Sequence, residues 1–205
     1  MNAMRVLGTT GLGLLLFAGG GCALFRASTT EVDVNKDTHY KADYDFTDMR
    51  KVSEGVAGDL LASEFMGKQT EPPVFMIAGV ENRTSMYVDT KGLTDRMRTL
   101  LFQSGKLRFV NEARRADLLK EQGYQAANVT PEQTVAIGRQ LGAKYMMSGS
   151  LMEMESSQMR QVRLAKKEMK YYKLTTEVTD LVSGEILWTV EKEFAREASK
   201  PLIGW

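Results

Sequence analysis

Large apolar side chains between residues 46 and 66 recur every three or four positions, at Phe46, Met49, Val52, Val56, Leu60, Leu61 and Phe65. That spacing lines one helix face, so an amphipathic helix is predicted over Thr47–Met66, stopped by Gly67. Gly55 and Gly58 fall inside it; each costs about 1 kcal/mol relative to Ala, and together they mark a broken helix or a close approach to a sheet. After Pro72-Pro73 the period changes, and Val74–Val80 reads as a buried strand, followed by a polar loop over 81–85. Helical spacing returns at Leu93, Met97, Leu100 and Leu101, ahead of Gly105. A short strand at Leu107–Val110 and a helix near Arg114–Gln122 follow, the latter with Asn111 as cap and Leu118-Leu119 facing inward.

The centre of the pattern is Ala143–Met154, apolar on both faces at first and alternating only from Ser148 onward. Such a run suits a central strand covered on two sides. The helix before it has both ends marked: Thr130 as N-cap, Pro131 at the first position, Gln133 closing a capping box and Gly142 as the stop. Further on, Tyr172, Leu174, Thr176 and Val178 alternate with polar residues, Ile186, Trp188 and Val190 do the same, and Val182–Glu185 is the turn between them. This predicts a long antiparallel hairpin with one buried face, Trp188 pointing into the core. The fold class is α+β: a mixed, largely antiparallel sheet flanked by helices.

The N-terminus changes the picture from a plain domain to an exported one. Arg5, the apolar run Leu12–Ala18 and Gly19-Gly20-Gly21 ending on Cys22 form a signal peptide over residues 1–21, too short to span a membrane. The lone cysteine after that run resembles the lipobox of bacterial lipoproteins, with Gly19 standing where Leu or Val is usual. The resemblance implies that Cys22 receives a diacylglyceryl group, becomes the first mature residue and is acylated, palmitate being a typical chain. Ala23, in place of Asp, resembles lipoproteins sorted to the outer membrane. The alternative is an ordinary cleaved signal with an incidental cysteine. Residues 22–45 are polar and read as a flexible, lipidated tether, 46–198 as the globular domain and 199–205 as a tail. His39 lies in the tether, where it cannot be held as a base or a ligand.

Charge and composition mostly exclude. The 205 residues carry 27 basic and 26 acidic side chains, so no global field draws the chain to nucleic acid. One Cys and one His leave no zinc site of the usual kind, and the thirteen Met are core filler. With no phosphate loop, nucleophile elbow or metal-ligand cluster, catalytic, cofactor and metal residues are all expected to be absent. A local feature remains at Ser156–Lys173, where Arg160, Arg163, Lys166, Lys167, Lys170 and Lys173 are offset only by Glu168. It is either a solvated hairpin tip or a partner-binding patch, with Arg160, Arg163, Lys166 and Lys167 as the candidate contacts.

Several phrases, in order, carry a resemblance: Ile77–Arg83, the Arg115–Gln122 helix, Ile137–Tyr145 running into Ser148-Gly149-Ser150, and Asp180–Trp188. Over residues 47–197 the chain resembles the LpoB family. That resemblance implies a fold like the N-terminal domain of TolB and an outer-membrane lipoprotein facing the periplasm. It further implies an activator, not an enzyme, that docks on a class A penicillin-binding protein, a peptidoglycan synthase. The tether here lacks the long Pro-rich stretch of that pattern. The alternative is a CsgG-like subunit of an outer-membrane secretion assembly or another envelope adaptor; a barrel needs lipid-facing strands of about 9–11 residues, and the basic insertion Ser156–Met169 does not suit lipid.

Overall fold

The computed structural model describes residues 29–39, 41–111, 114, 117, 120, 121, 130–160 and 165–201, without side chains at 131, 157–166, 200 and 201. The chain divides into two units, 1–34 and 35–205, and residues 29–34 of the first form neither helix nor strand. The second unit holds α1 (Phe46–Ala62), α2 (Glu64–Gly67), β1 (Val74–Arg83), α3 (Thr90–Gln103), β2 (Arg108–Phe109), α4 (Pro131–Gln140), β3 (Tyr145–Arg160), β4 (Ala165–Asp180) and β5 (Ile186–Pro201).

One five-stranded sheet has the order β2-β1-β3-β4-β5. β2, β1 and β3 run parallel, while β3, β4 and β5 are antiparallel neighbours. The mixed sheet therefore places β3 at the centre, as its two-sided apolar start requires. On one face α1, α2 and α3 cover Phe75, Ile77, Tyr145, Met147, Leu151, Leu174 and Val178. On the other, the end of the sheet carries a smaller cluster of Met76, Ala143 and Leu181 with Val135 of α4. Gly138 lets α4 come this close, since a Cβ there would meet Met76 Sδ at 2.8 Å. Ile77 and Val80 both face the core because the β1 register slips between Ile77 and Gly79. Gly79 holds φ at +101°, a conformation that only glycine adopts cheaply at such a bulge.

Three expectations change in detail. The predicted helix over Thr47–Met66 breaks at Ser63, whose extended backbone ends α1 and whose hydroxyl accepts from Met66 N–H to start α2. Gly55 marks the close approach, with Lys192 of β5 lying across it. The loop expected at 81–85 begins later, because Glu81–Arg83 pair with Ser150–Met152 and extend β1. The hairpin tip expected from Ser156 also begins later, since β3 and β4 stay paired out to Arg160 and Ala165. The helix expected near Arg114–Gln122 lies largely outside the described residues.

Trp188 packs against the core cluster but remains partly exposed, and Ile186 does not share its face, being 56% exposed. The register explains this: Val178 pairs with Trp188 and Thr179 with Ile186, so Leu187 is skipped in a bulge on an edge strand.

Candidate interaction surface

Beyond the ends of the helices, β3, β4 and β5 continue as a polar ribbon whose register sets charges side by side. Lys170 on β4 is buried, and its Nζ lies 3.0 Å from Glu153 on β3 and 2.8 Å from Asp43. Glu155 and Glu168 approach the same ammonium at 4.0 and 3.9 Å. Glu153 also accepts hydrogen bonds from the backbone N–H and the hydroxyl of Ser85. The hydrogen bond to Asp43, then that to Glu153, raises the Lys170 ammonium well above the ordinary lysine value against the opposing effect of burial. Burial pushes the Glu153 carboxyl up, but Lys170 and Ser85 outweigh it and leave it below the usual range. Tyr172, fully buried beside this pair, is pushed to about 12, first by burial and then by the Glu153 charge.

A second cluster sits one strand over. Arg196 of β5 donates to Asp48 Oδ1 at 2.5 Å and to the Asp43 carbonyl at 3.0 Å, and approaches Asp45 at 3.5 Å. Asp45 caps α1 by accepting from the N–H groups of Thr47 and Asp48, while Asp48 accepts from Asp45 N–H in return. His39 Nδ1 lies 2.7 Å from Asp45 Oδ2. Burial pushes Asp48 up, and the Arg196 hydrogen bond only partly offsets it. At Asp45 burial also raises, but the His39 and backbone hydrogen bonds prevail and the carboxyl stays low. His39, Asp45 and Asp48 bring three potential metal-ligand atoms within 4.8 Å of one another. The Asp45 and Asp48 oxygens are nevertheless committed to the helix cap, to His39 and to Arg196, so the arrangement fits an ion-paired cap and not a metal centre.

Both clusters hold residues 35–45, which the sequence reading assigned to the tether. Asp37 pairs with Arg50 and Lys51, Ala42 is buried, Tyr44 N–H donates to the Tyr172 hydroxyl, and the Tyr44 ring packs edge-on to Tyr172. The tether boundary at residue 46 thus gives way to Asn35, and His39 lies on the folded body. Hydropathy missed this because the described residues of the segment dock through charge and the Tyr44 ring; the one available signal was Asp45 four residues before Met49, a cap ahead of an apolar period.

The predicted contact residues are unevenly placed. Arg160 and Lys166 are strand residues in register with Ala165 and Met159, and Arg163 and the lipidation candidate Cys22 lie outside the described residues. The Lys167 ammonium pairs with Glu197. Lys173 pairs with Glu191 at 2.8 Å, so acids on the neighbouring strand offset the charge that looked unopposed in linear sequence. One open trough of about 480 Å³ lies between α2 and the Gly105 turn, lined by Leu61, Met66, Pro72 and Lys106. Among the described residues, no helix is long and apolar enough to cross a membrane.

Comparison with solved structures places this fold. The LpoB C-terminal domain from Salmonella enterica is 19% identical and superposes with a TM-score of 0.56, covering 72% of this chain and 98% of that domain. The LpoB C-terminal domain from Escherichia coli is 17% identical with a TM-score of 0.55, at the same coverages of 72% and 98%. No curated protein sequence gives a significant match. The profile of the family described as peptidoglycan-synthase activator LpoB matches residues 48–194, from the first turn of α1 to the middle of β5. That match spans most of the chain, and the protein belongs to the LpoB family, regulatory activators and not catalysts.

Proposed function

We propose that this protein is an outer-membrane lipoprotein, anchored through Cys22, whose periplasmic domain binds a class A penicillin-binding protein and raises its activity without catalysing a reaction itself. The observation that carries this reading is the family match over residues 48–194, which takes in the whole helix-covered sheet. Three acyl chains exceed the two signals that stable membrane attachment needs. Anchoring at the cell wall raises the effective concentration of a weak contact. The basic segment with Arg160, Arg163, Lys166 and Lys167 is the proposed contact; β3 and β4 stay paired out to Arg160 and Ala165 on either side of it.

The test mixes the purified Cys22→Ser chain with a class A synthase from its own cell and follows glycan polymerisation. The expected result is binding and a faster synthase, with no polymerisation by the chain alone. Reversal of Arg160, Arg163 and Lys167 to Glu weakens that binding. Absence of both binding and stimulation rejects the proposal. Loss of palmitate labelling in Cys22→Ser supports the anchor; an unmodified wild-type cysteine removes it.

A further inference from the structure

The described residues of the segment 35–45 contribute little apolar burial. Among them Ala42 is the one hydrophobic residue in the core, and Tyr44 is half-buried against Tyr172 and Phe194. The rest is fastened by charge and by a few main-chain hydrogen bonds. Asp37 reaches Arg50 at 3.0 Å and Lys51 at 2.7 Å on α1, Asp43 reaches Lys170 on β4, and the Lys41 and Asp43 carbonyls accept from Arg196 on β5.

The receiving side is built so that departure of the segment strands no charge. Lys170 keeps Glu153 at 3.0 Å, Arg196 keeps Asp48 at 2.5 Å, Arg50 keeps Glu54 at 3.9 Å, and the Tyr172 hydroxyl keeps Glu153 at 3.5 Å. The departing carboxylates, Asp37 at 51%, Asp43 at 32% and Asp45 at 24% side-chain exposure, already touch water; Asp45 takes its partner His39 with it, and the α1 amides of Thr47 and Asp48 that it caps turn to water. A buried pair resists separation because a lone charge is left behind. Here both sides remain compensated, so the contact is weak, screened by salt and reversible.

We infer that residues 35–45 are a detachable strap: a length of the tether stored on the domain by ion pairs, whose release lengthens the free chain between anchor and domain. The eleven residues add up to ~36 Å of extended chain at ~3.3 Å each. The role as stored length rests on the tethered-adaptor reading above; the docking itself does not.

Amide exchange on the full chain carrying Cys22→Ser tests the strap, comparing residues 41–45 with α3. In dilute buffer the strap amides are expected to be protected. In about 1 M salt, where the Debye length is about 3 Å, they exchange roughly tenfold faster or more while α3 is unchanged. The pair Asp37→Asn and Asp43→Asn, both within the strap, gives the same selective loss. Exchange that ignores both salt and substitution, or a loss that spreads equally to α3, overturns the strap. In cells, deleting residues 24–33 removes about 33 Å of reach and should sensitise the cell to a β-lactam; adding the Asp37→Asn and Asp43→Asn pair should restore resistance. Failure to restore, with strap release seen in vitro, overturns the stored-length role. A deletion without effect overturns that role together with the tethered reading, even where exchange has shown the strap.

Discussion

The two halves of the sheet are held by different physics. Where the helices cover it, Phe75, Met147, Leu151, Leu174 and Val178 interlock with Val56, Leu60, Leu93 and Met97, all at or near zero exposure. Past Glu153 and Tyr172 the described contacts turn to charge, and Lys170, Glu153, Asp43, Arg196 and Asp48 take over. The first half is held by removal of apolar surface from water, which salt and pH barely touch. The second is held by pairs whose strength depends on both. One sheet thus combines a fixed platform with an adjustable margin, and the adjustable part carries the strap and leads to the hairpin tip.

The sharpest way to break the comparison is to empty each half in turn. Phe75→Ala removes a fully buried ring that packs against Tyr145, Phe65 and Phe109. It should cost about 3–5 kcal/mol in urea unfolding, equally at low and high salt. Lys170→Ala leaves Glu153 and Asp43 facing each other without their cation and should cost about 1.5–3 kcal/mol. That loss should shrink as salt rises; equal salt responses for the two variants would erase the distinction.

pH separates the halves by sign. Glu153 has a folded value below its ordinary 4.5, so the stability it supplies is present above that pH and is lost as pH falls through the lowered value. Asp45 behaves alike from 3.8, whereas Asp48, raised by burial, is the easier to protonate in the folded state and opposes them. Lys170, raised above 10.5, supplies stability below that pH that is lost as pH climbs through its folded value. Backbone NMR signals of residues 41–45 should therefore broaden or shift in acid, as pH falls below the ordinary carboxylate range, and in strong base, while those of α3 hold.

What was legible in sequence follows the same division. α4 could be read end to end because its signals are local: Thr130 and Gln133 form the capping box, Pro131 opens it and Gly142 follows with φ +79°. The β4 face of Tyr172, Leu174, Thr176 and Val178 was legible because burial imposes its period of two. The extension of β3 to Arg160 was not, since Glu155–Gln158 break the apolar alternation that marks a strand in sequence. Nor was the strap, whose partners lie 127 residues away at Lys170 and 153 at Arg196 from Asp43. The acids that offset Lys173 and Lys167 were hidden for the same reason: Glu191 and Glu197 belong to another strand.

Trp188 tests the border between the halves. The sequence pattern assigned it a full core position, but its ring lies at an edge strand beside a bulge and is only partly covered. Trp188→Ala should cost roughly 1–2 kcal/mol, well under the 3–5 of a fully buried ring. A loss as large as that of Phe75→Ala would mean that β5 belongs to the apolar platform and not to its margin.

The smallest expected effect supplies the control for all the charge arguments. Lys68 and Glu64 form an i,i+4 pair on α2 at 2.8 Å, as short as the Lys170–Asp43 contact, yet their side chains are 71% and 84% exposed. Distance alone would rank the two pairs equally. Water separates them, because an exposed pair gives up hydration it can readily regain and spends side-chain entropy to hold one geometry. Lys68→Ala should therefore shift unfolding by less than about 0.5 kcal/mol, against about 1.5–3 for Lys170→Ala. If the two variants lose the same stability, coverage is not what gives the Lys170 cluster its strength, and the ribbon beyond the helices is held by something other than its ion pairs.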